Sequence, residues 1–226
     1  MKCSEICALI EQEYGTEYAC DWDNVGLLAG RSTKEVKKIL LSLDATDEVV
    51  RMAAEGGYDM LITHHPMLFS AIKRVTDQDM NGRRLQELIR NDISYYAMHT
   101  NYDTRGMADL AARLMGLTEC AVLEEVKDGE GIGRVGKLPH PMTLRECGEQ
   151  VKVAYGIPNV RLFGDPDTQV SLVGICPGAG KSTMPLALGF GCDVYITGDI
   201  DHHTGIDALD QGMCIIDAGH YGVEHI

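Results

Sequence analysis

Five residues from separated stretches of the chain are nitrogen or oxygen donors of the kind that hold a metal ion: His64, His65, Asp103, His220 and Glu224. No thiolate is among them. Imidazole and carboxylate together suit zinc, manganese or iron, whereas a closed structural zinc site ordinarily uses cysteine. Five ligands with two carboxylates exceed the needs of one tetrahedral ion, which points to two divalent metal ions per chain. Such a pair lowers the pKa of water and polarises an electrophile, so hydrolysis is the natural reaction class. His99 and His203 are the candidates for moving the proton.

These donors need strands that end where they begin. The run Asp59 to Thr63 is apolar at Met60, Leu61 and Ile62 without polar alternation, as in a strand covered on both faces of an α/β sheet. Ligands in such sheets gather beyond the strand carboxyl ends. Neighbouring side chains of a strand point to opposite faces, so His64 and His65 serve one site only if the chain turns there. Pro66 favours the turn by holding His65 out of helical geometry. The plainer reading is two histidines that merely cap a strand.

In chain order, residues 4–14 have helical spacing with Ser4 placed to cap. The stretch 21–27 is a loop holding the only tryptophan, Trp22, and is either a turn closing under the sheet or a device placing Asp23 or Asn24 beside the histidines. A strand is predicted over 36–43, helices over 47–54 and 81–91, and a strand over 93–98 that ends in His99-Thr100-Asn101-Tyr102-Asp103. A helix over 107–117 stops at Gly116. The charged, Gly-rich segment 124–136 reads as a flexible crossing between halves, 1–123 and 124–226. The second half continues with a helix over 143–155 and an extended 160–163.

An internal repeat supports two halves. A shift of 134 residues sets Ile39-Leu40-Leu41 on Val173-Gly174-Ile175 and residues 57–63 on 191–197, where four of seven residues are identical. A shift of 121 sets His99 and Asp103 on His220 and Glu224. His202 and His203 do not align with His64 and His65; His203 reads as a proton-transfer candidate and His202 as solvated.

Composition limits the function classes. With 34 Asp plus Glu against 20 Lys plus Arg, the net charge of −14 leaves no basic face for nucleic acid. No window approaches a membrane span, and the amino terminus lacks the order of a secretion signal, so a cytoplasmic location is the default. The eight cysteines form no C-x-x-C and sit mostly among apolar residues, as reduced core side chains do.

Six segments together resemble the YbgI/Nif-three-like family, often labelled GTP cyclohydrolase 1 type 2 homologues. They are residues 21–27 (Asp-Trp-Asp-Asn-Val-Gly-Leu), 63–66 (Thr-His-His-Pro), 99–103, 178–182 (Gly-Ala-Gly-Lys-Ser), 197–200 and 219–224. The resemblance spans essentially the whole chain. It implies two intertwined, pseudo-repeated α/β halves with mixed sheets and helices outside, a dinuclear site held by His64, His65, Asp103, His220 and Glu224, and a ring-shaped homohexamer. It also implies a small-molecule substrate that is nucleotide-like or heterocyclic, with GTP ring opening as the leading form. No inserted middle domain of the kind some relatives carry is expected. Family members usually run on past the last motif, whereas this chain stops at Ile226; a ligand two residues from an end would fray unless its metal holds it, or the sequence is a truncated product.

Two other classes compete. A metal-held scaffold would need the ligands and no turnover, and a phosphoesterase would use the same ions. The segment Gly174-Ile175-Cys176-Pro177-Gly178-Ala179-Gly180-Lys181-Ser182-Thr183 looks like a phosphate-binding loop, but five residues instead of four separate its first glycine from Gly180-Lys181.

Overall fold

The structure is a computed structural model and describes all 226 residues. The chain divides into two compact units, Met1–Tyr102 and Asp103–Ile226.

The first unit runs α1 (Cys3–Glu13), β1 (Gly26–Ala29), β2 (Ile39–Ser42), α2 (Asp47–Glu55), β3 (Met60–Thr63), α3 (Met80–Arg90), β4 (Ser94–Ala97) and a single turn α4 (Thr100–Tyr102). Its sheet has the order β1-β4-β3-β2. β2, β3 and β4 are parallel and β1 is an antiparallel edge. Alternate residues of the central strands enter different cores. Leu61, Tyr95 and Ala97 pack with Val50, Ala53, Leu85 and Leu88 of α2 and α3; Met60, Ile62 and Tyr96 pack with Cys3 and Cys7 of α1. Both faces are therefore covered, which explains the unbroken apolar run at 60–62. Each fully buried leucine or methionine among these contributes about 1.5–3 kcal/mol relative to an exposed one.

Thr46 caps α2 through a bond from Val49 N–H, and Asp79 caps α3 through Gly82 N–H at 2.8 Å. α1 differs from expectation. Ser4 lies inside the helix, and the first amides are met by backbone carbonyls: Cys3 N–H donates to Lys34 and Ser4 N–H to Ser32.

The second unit opens on a π-helical turn, Asp103–Met107, and continues with α5 (Ala108–Leu114), β5 (Thr118–Lys127), β6 (Glu130–Thr143), α6 (Leu144–Tyr155), β7 (Arg161–Phe163), β8 (Gln169–Ile175), α7 (Met184–Gly189), β9 (Val194–Thr197), α8 (His202–Asp210), β10 (Cys214–Asp217) and α9 (His220–Glu224). The sheet order is β5-β6-β8-β9-β10-β7. β8, β9 and β10 are parallel, with antiparallel β7 beside β10. α6 covers one face through Leu144, Cys147 and Val151, and Ala187 and Ala208 of α7 and α8 lie on the other.

The segment 124–136 is not a flexible crossing. It belongs to the hairpin of β5 and β6, whose tip Asp128-Gly129 has positive φ at both residues, 53° and 79°. That is the backbone a tight two-residue hairpin turn demands. Gly131 lies where a Cβ would meet the Glu124 carbonyl oxygen at 1.9 Å, so this glycine permits close strand pairing.

The repeat is real at the level of backbone bonding. The series α1-β1-β2-α2-β3-α3-β4 has the same order and strand directions as α6-β7-β8-α7-β9-α8-β10. In the first unit Asp59 Oδ2 accepts the amides of Lys37 and Lys38. In the second, Asp193 Oδ2 accepts those of Ser171 and Leu172, each 134 residues further on. All eight cysteines are free thiols and six are buried; burial pushes Cys147 up to about 12. No helix is long and apolar enough to cross a membrane.

Candidate metal-binding residues

Residues two positions past the parallel strands carry the polar chemistry of each unit. In the first unit these are Asp44 after β2, His65 after β3 and His99 after β4. The turn after β3 is fixed by two hydroxyls. Thr63 Oγ1 and the buried Tyr95 hydroxyl reach the His65 carbonyl at 2.8 and 3.2 Å, and Met67 N–H donates to that tyrosine at 2.7 Å. The turn brings consecutive imidazoles to one side: the His64 and His65 ring centroids are 4.9 Å apart, and His99 lies 5.1 and 5.6 Å from them. Donor atoms of the three rings all lie within 4.8 Å of one another.

Each ring is held through Nδ1. His64 is bonded to the Met98 carbonyl at 2.9 Å, His65 to Asp44 Oδ1 at 3.0 Å and His99 to Asp23 Oδ1 at 3.0 Å. A bond of this kind puts the neutral imidazole proton on Nδ1 and the lone pair on Nε2, the atom that then faces a metal. Asp23 is itself fully anchored: its carboxylate also accepts Thr100 N–H at 3.0 Å and Thr100 Oγ1–H at 2.6 Å. Burial raises its carboxyl, but the His99 and Thr100 bonds outweigh that and hold it at about 2. The Trp22 loop thus does set Asp23 beside a histidine.

The second unit repeats the device with different donors. Asp199, two past β9 and 134 residues beyond His65, holds His220 Nδ1 at 2.8 Å. The opposite nitrogen, Nε2, is 3.1 Å from Glu224 Oε1 across one turn of α9. Glu224 against Nε2, with burial working the other way and Asp199 adding to the pull, raises His220 to about 9. A metal taking Nε2 must displace that proton. The Gly178 loop closes over the pair: a Cβ on Gly178, where φ is +74°, would stand 2.5 Å from Glu224 Oε1. Thr197, at the end of β9, secures the loop by accepting Gly180 N–H at 2.9 Å and donating to the Gly178 carbonyl.

The donors of each unit are of the kind that suits a divalent transition metal: His64 and His65 in the first and His220 in the second are each fixed at Nδ1 by a carboxylate or carbonyl, as ligand imidazoles are. Asp103 opens the π-helical turn, four residues after His99. His203 is exposed on the first turn of α8, its ring 5.4 Å from that of His202. Sequence reasoning missed Asp44. Its signal is position alone, two residues past a strand end, where His65, His99 and Asp199 also sit. Lys181 is paired with Asp201 at 2.5 Å, and α7 starts only at Met184, so this lysine does not open a helix as in a phosphate-binding loop.

The molecule is thus an α/β protein with a duplicated parallel core whose strand ends present oriented imidazoles and carboxylates. The sequence profile of the family Duf34/NIF3 (NGG1p interacting factor 3) matches residues 1–226, and the chain belongs to that family. It is 35% identical over 228 residues to a protein of Clostridium perfringens named GTP cyclohydrolase 1 type 2 homolog, with 99% of this chain and 87% of the relative covered. Its structure is similar to that of a Bacillus cereus protein related to NIF3, with a TM-score of 0.93 and 25% identity over 99% of this chain and 89% of the other. Reduced HcgD from Methanocaldococcus jannaschii aligns with a TM-score of 0.87 and 32% identity, covering 100% of this chain and 89% of the other.

Proposed function

We propose that this protein is a metal-dependent hydrolase of a nucleotide-like or heterocyclic substrate, with GTP ring opening as the first reaction to try. His64, His65, Asp103, His220 and Glu224 would hold two divalent ions per chain. The observation that carries the reading is the Nδ1 bonding of His64, His65 and His220 to a carbonyl or carboxylate, which orients each ring as a ligand. Relatives named GTP cyclohydrolase 1 type 2 homolog support the substrate class. The ions would supply a lowered water pKa and a Lewis acid. The chain's own part is to orient and to move a proton. His99, with Asp23 holding Nδ1, is oriented to exchange a proton at Nε2. His203 is the alternative proton carrier. Assembly as a homohexamer in the cytoplasm belongs to the same proposal.

The test is turnover by fully metallated protein on GTP, other heterocycles and phosphoesters. His99→Gln should keep both ions and the oligomer while losing on the order of 10²- to 10⁴-fold in rate. Metallated wild type that turns over none of these substrates would leave a metal-held scaffold. Phosphoester cleavage without ring opening would make the protein a phosphoesterase.

A further inference from the structure

Beside the three imidazoles of the first unit stands an aromatic pair that has no part in holding a metal. The Trp22 and Phe69 ring centroids are 5.6 Å apart with an interplanar angle of 45°. They lie 6.1 and 6.4 Å from the His99 ring. Both side chains face solvent, Trp22 at 60% exposure and Phe69 at 51%, although the same sheet buries Tyr95 and Tyr96 completely. The exposure is not looseness. Asp23, next to Trp22, is fixed by His99 and Thr100, and Asn24 Nδ2–H donates to the Leu68 carbonyl at 2.5 Å, tying the tryptophan loop to the phenylalanine loop. A rigid, solvent-facing aromatic ledge bordered by imidazoles is prepared to receive something flat.

We infer that Trp22 and Phe69 are the stacking surface for the planar nitrogen heterocycle of the substrate, a ring system the size of a purine. The inference rests on the hydrolase reading above and narrows its substrate class. Stacking on an indole favours a flat, polarisable ring over an aliphatic chain. The polar border formed by His99, whose Nδ1 is held by the buried Asp23, favours a ring whose edge carries hydrogen-bonding nitrogens and oxygens. Asp21, exposed next to Trp22, adds a negative charge to the ledge itself, which disfavours an isolated phosphate there. A hydrocarbon satisfies only the ledge and a sugar phosphate only the border, whereas a purine-like base satisfies both.

Trp22 is the single tryptophan of the chain, so its emission reports the ledge directly. Metal-free and zinc-loaded protein is titrated with guanosine, adenosine, GTP, ribose 5-phosphate and inorganic triphosphate. Purine nucleosides and GTP should quench saturably, in metal-free protein as well, and the two phosphates should not. By equilibrium dialysis, Trp22→Ala and Phe69→Ala should each weaken guanosine binding about tenfold or more at unchanged metal content, and Trp22→Tyr should restore most of it. Guanosine binding that survives both alanine substitutions, or absence of saturable quenching by any purine probe, overturns the inference. A changed oligomer mass in Trp22→Ala with unchanged guanosine binding also overturns it, since the pair would then belong to an interface between copies. The two readings fail separately: stacking without turnover removes the hydrolase and keeps the ledge, and turnover without stacking does the reverse.

Discussion

Replacing Gly178 by alanine separates ligand placement from backbone strain, because Gly191 provides a matched control. Both glycines have φ of +74°. A Cβ at Gly191 meets nothing within 4 Å, whereas one at Gly178 lies 2.5 Å from Glu224 Oε1. The strain of a left-handed alanine is about 1–2 kcal/mol in either variant, or roughly 2–8 °C in unfolding temperature for a chain of this size. The contact at 178 adds little to that, since a carboxylate tip can swing. Glu224, however, has only 4% of its side chain exposed and stands 3.1 Å from His220 Nε2. To reach an ordinary contact the carboxylate must retreat by roughly 1 Å, several times the tolerance of about 0.2 Å of a metal–ligand bond. Metal affinity of Gly178→Ala should therefore fall on the order of 10- to 100-fold, the range seen when a ligand's support is lost, while Gly191→Ala binds like wild type. The assay is competition with a chelating dye at fixed pH, with thermal unfolding of both metal-free variants alongside. Equal metal affinity in the two variants would refute the place given to Glu224 and its cradle.

Two more outcomes follow from particular contacts. Asp23, held at about 2 against an ordinary 3.8, contributes on the order of 2 kcal/mol that is fully present above pH 4 and is lost as pH falls through 2. Asp23→Asn should therefore unfold about 4–8 °C lower than wild type at pH 7, with the gap narrowing between pH 4 and 2; a gap absent at pH 7 would contradict the bonding described. Lys181→Ala should leave metal content unchanged and ATP binding undetectable, as in wild type. Magnesium-dependent ATP hydrolysis by wild type, lost in that variant, would restore the phosphate-loop reading.

The strands that carry the donors were legible because burial on both faces writes itself as a short apolar run: 60–62 and 194–196 could be matched before any coordinates, and the 134-residue shift survives down to the Asp59 and Asp193 bonds. The β5–β6 hairpin was not, because its charged positions and glycines imitate a linker. The Asp128-Gly129 pair was the available signal, a hairpin turn inside what looked like a crossing. β1 was hidden for a related reason: a four-residue antiparallel edge beginning at Gly26 has little apolar pattern of its own. Of the candidate site, the histidines and carboxylates could be named from their positions after strands. Their Nδ1 partners could not, since Asp44 and Asp199 are short acidic residues in polar loops until the fold sets them against His65 and His220. The π-helical turn at Asp103 left no mark in composition or periodicity.

Metal stoichiometry of the loaded and desalted protein, by elemental analysis per mole of chain, tests the central claim most directly. Two transition-metal ions per chain are expected in wild type, with at least one lost in Asp103→Ala and in Glu224→Ala. A wild-type ceiling of one ion, or two ions retained in both variants, would contradict it.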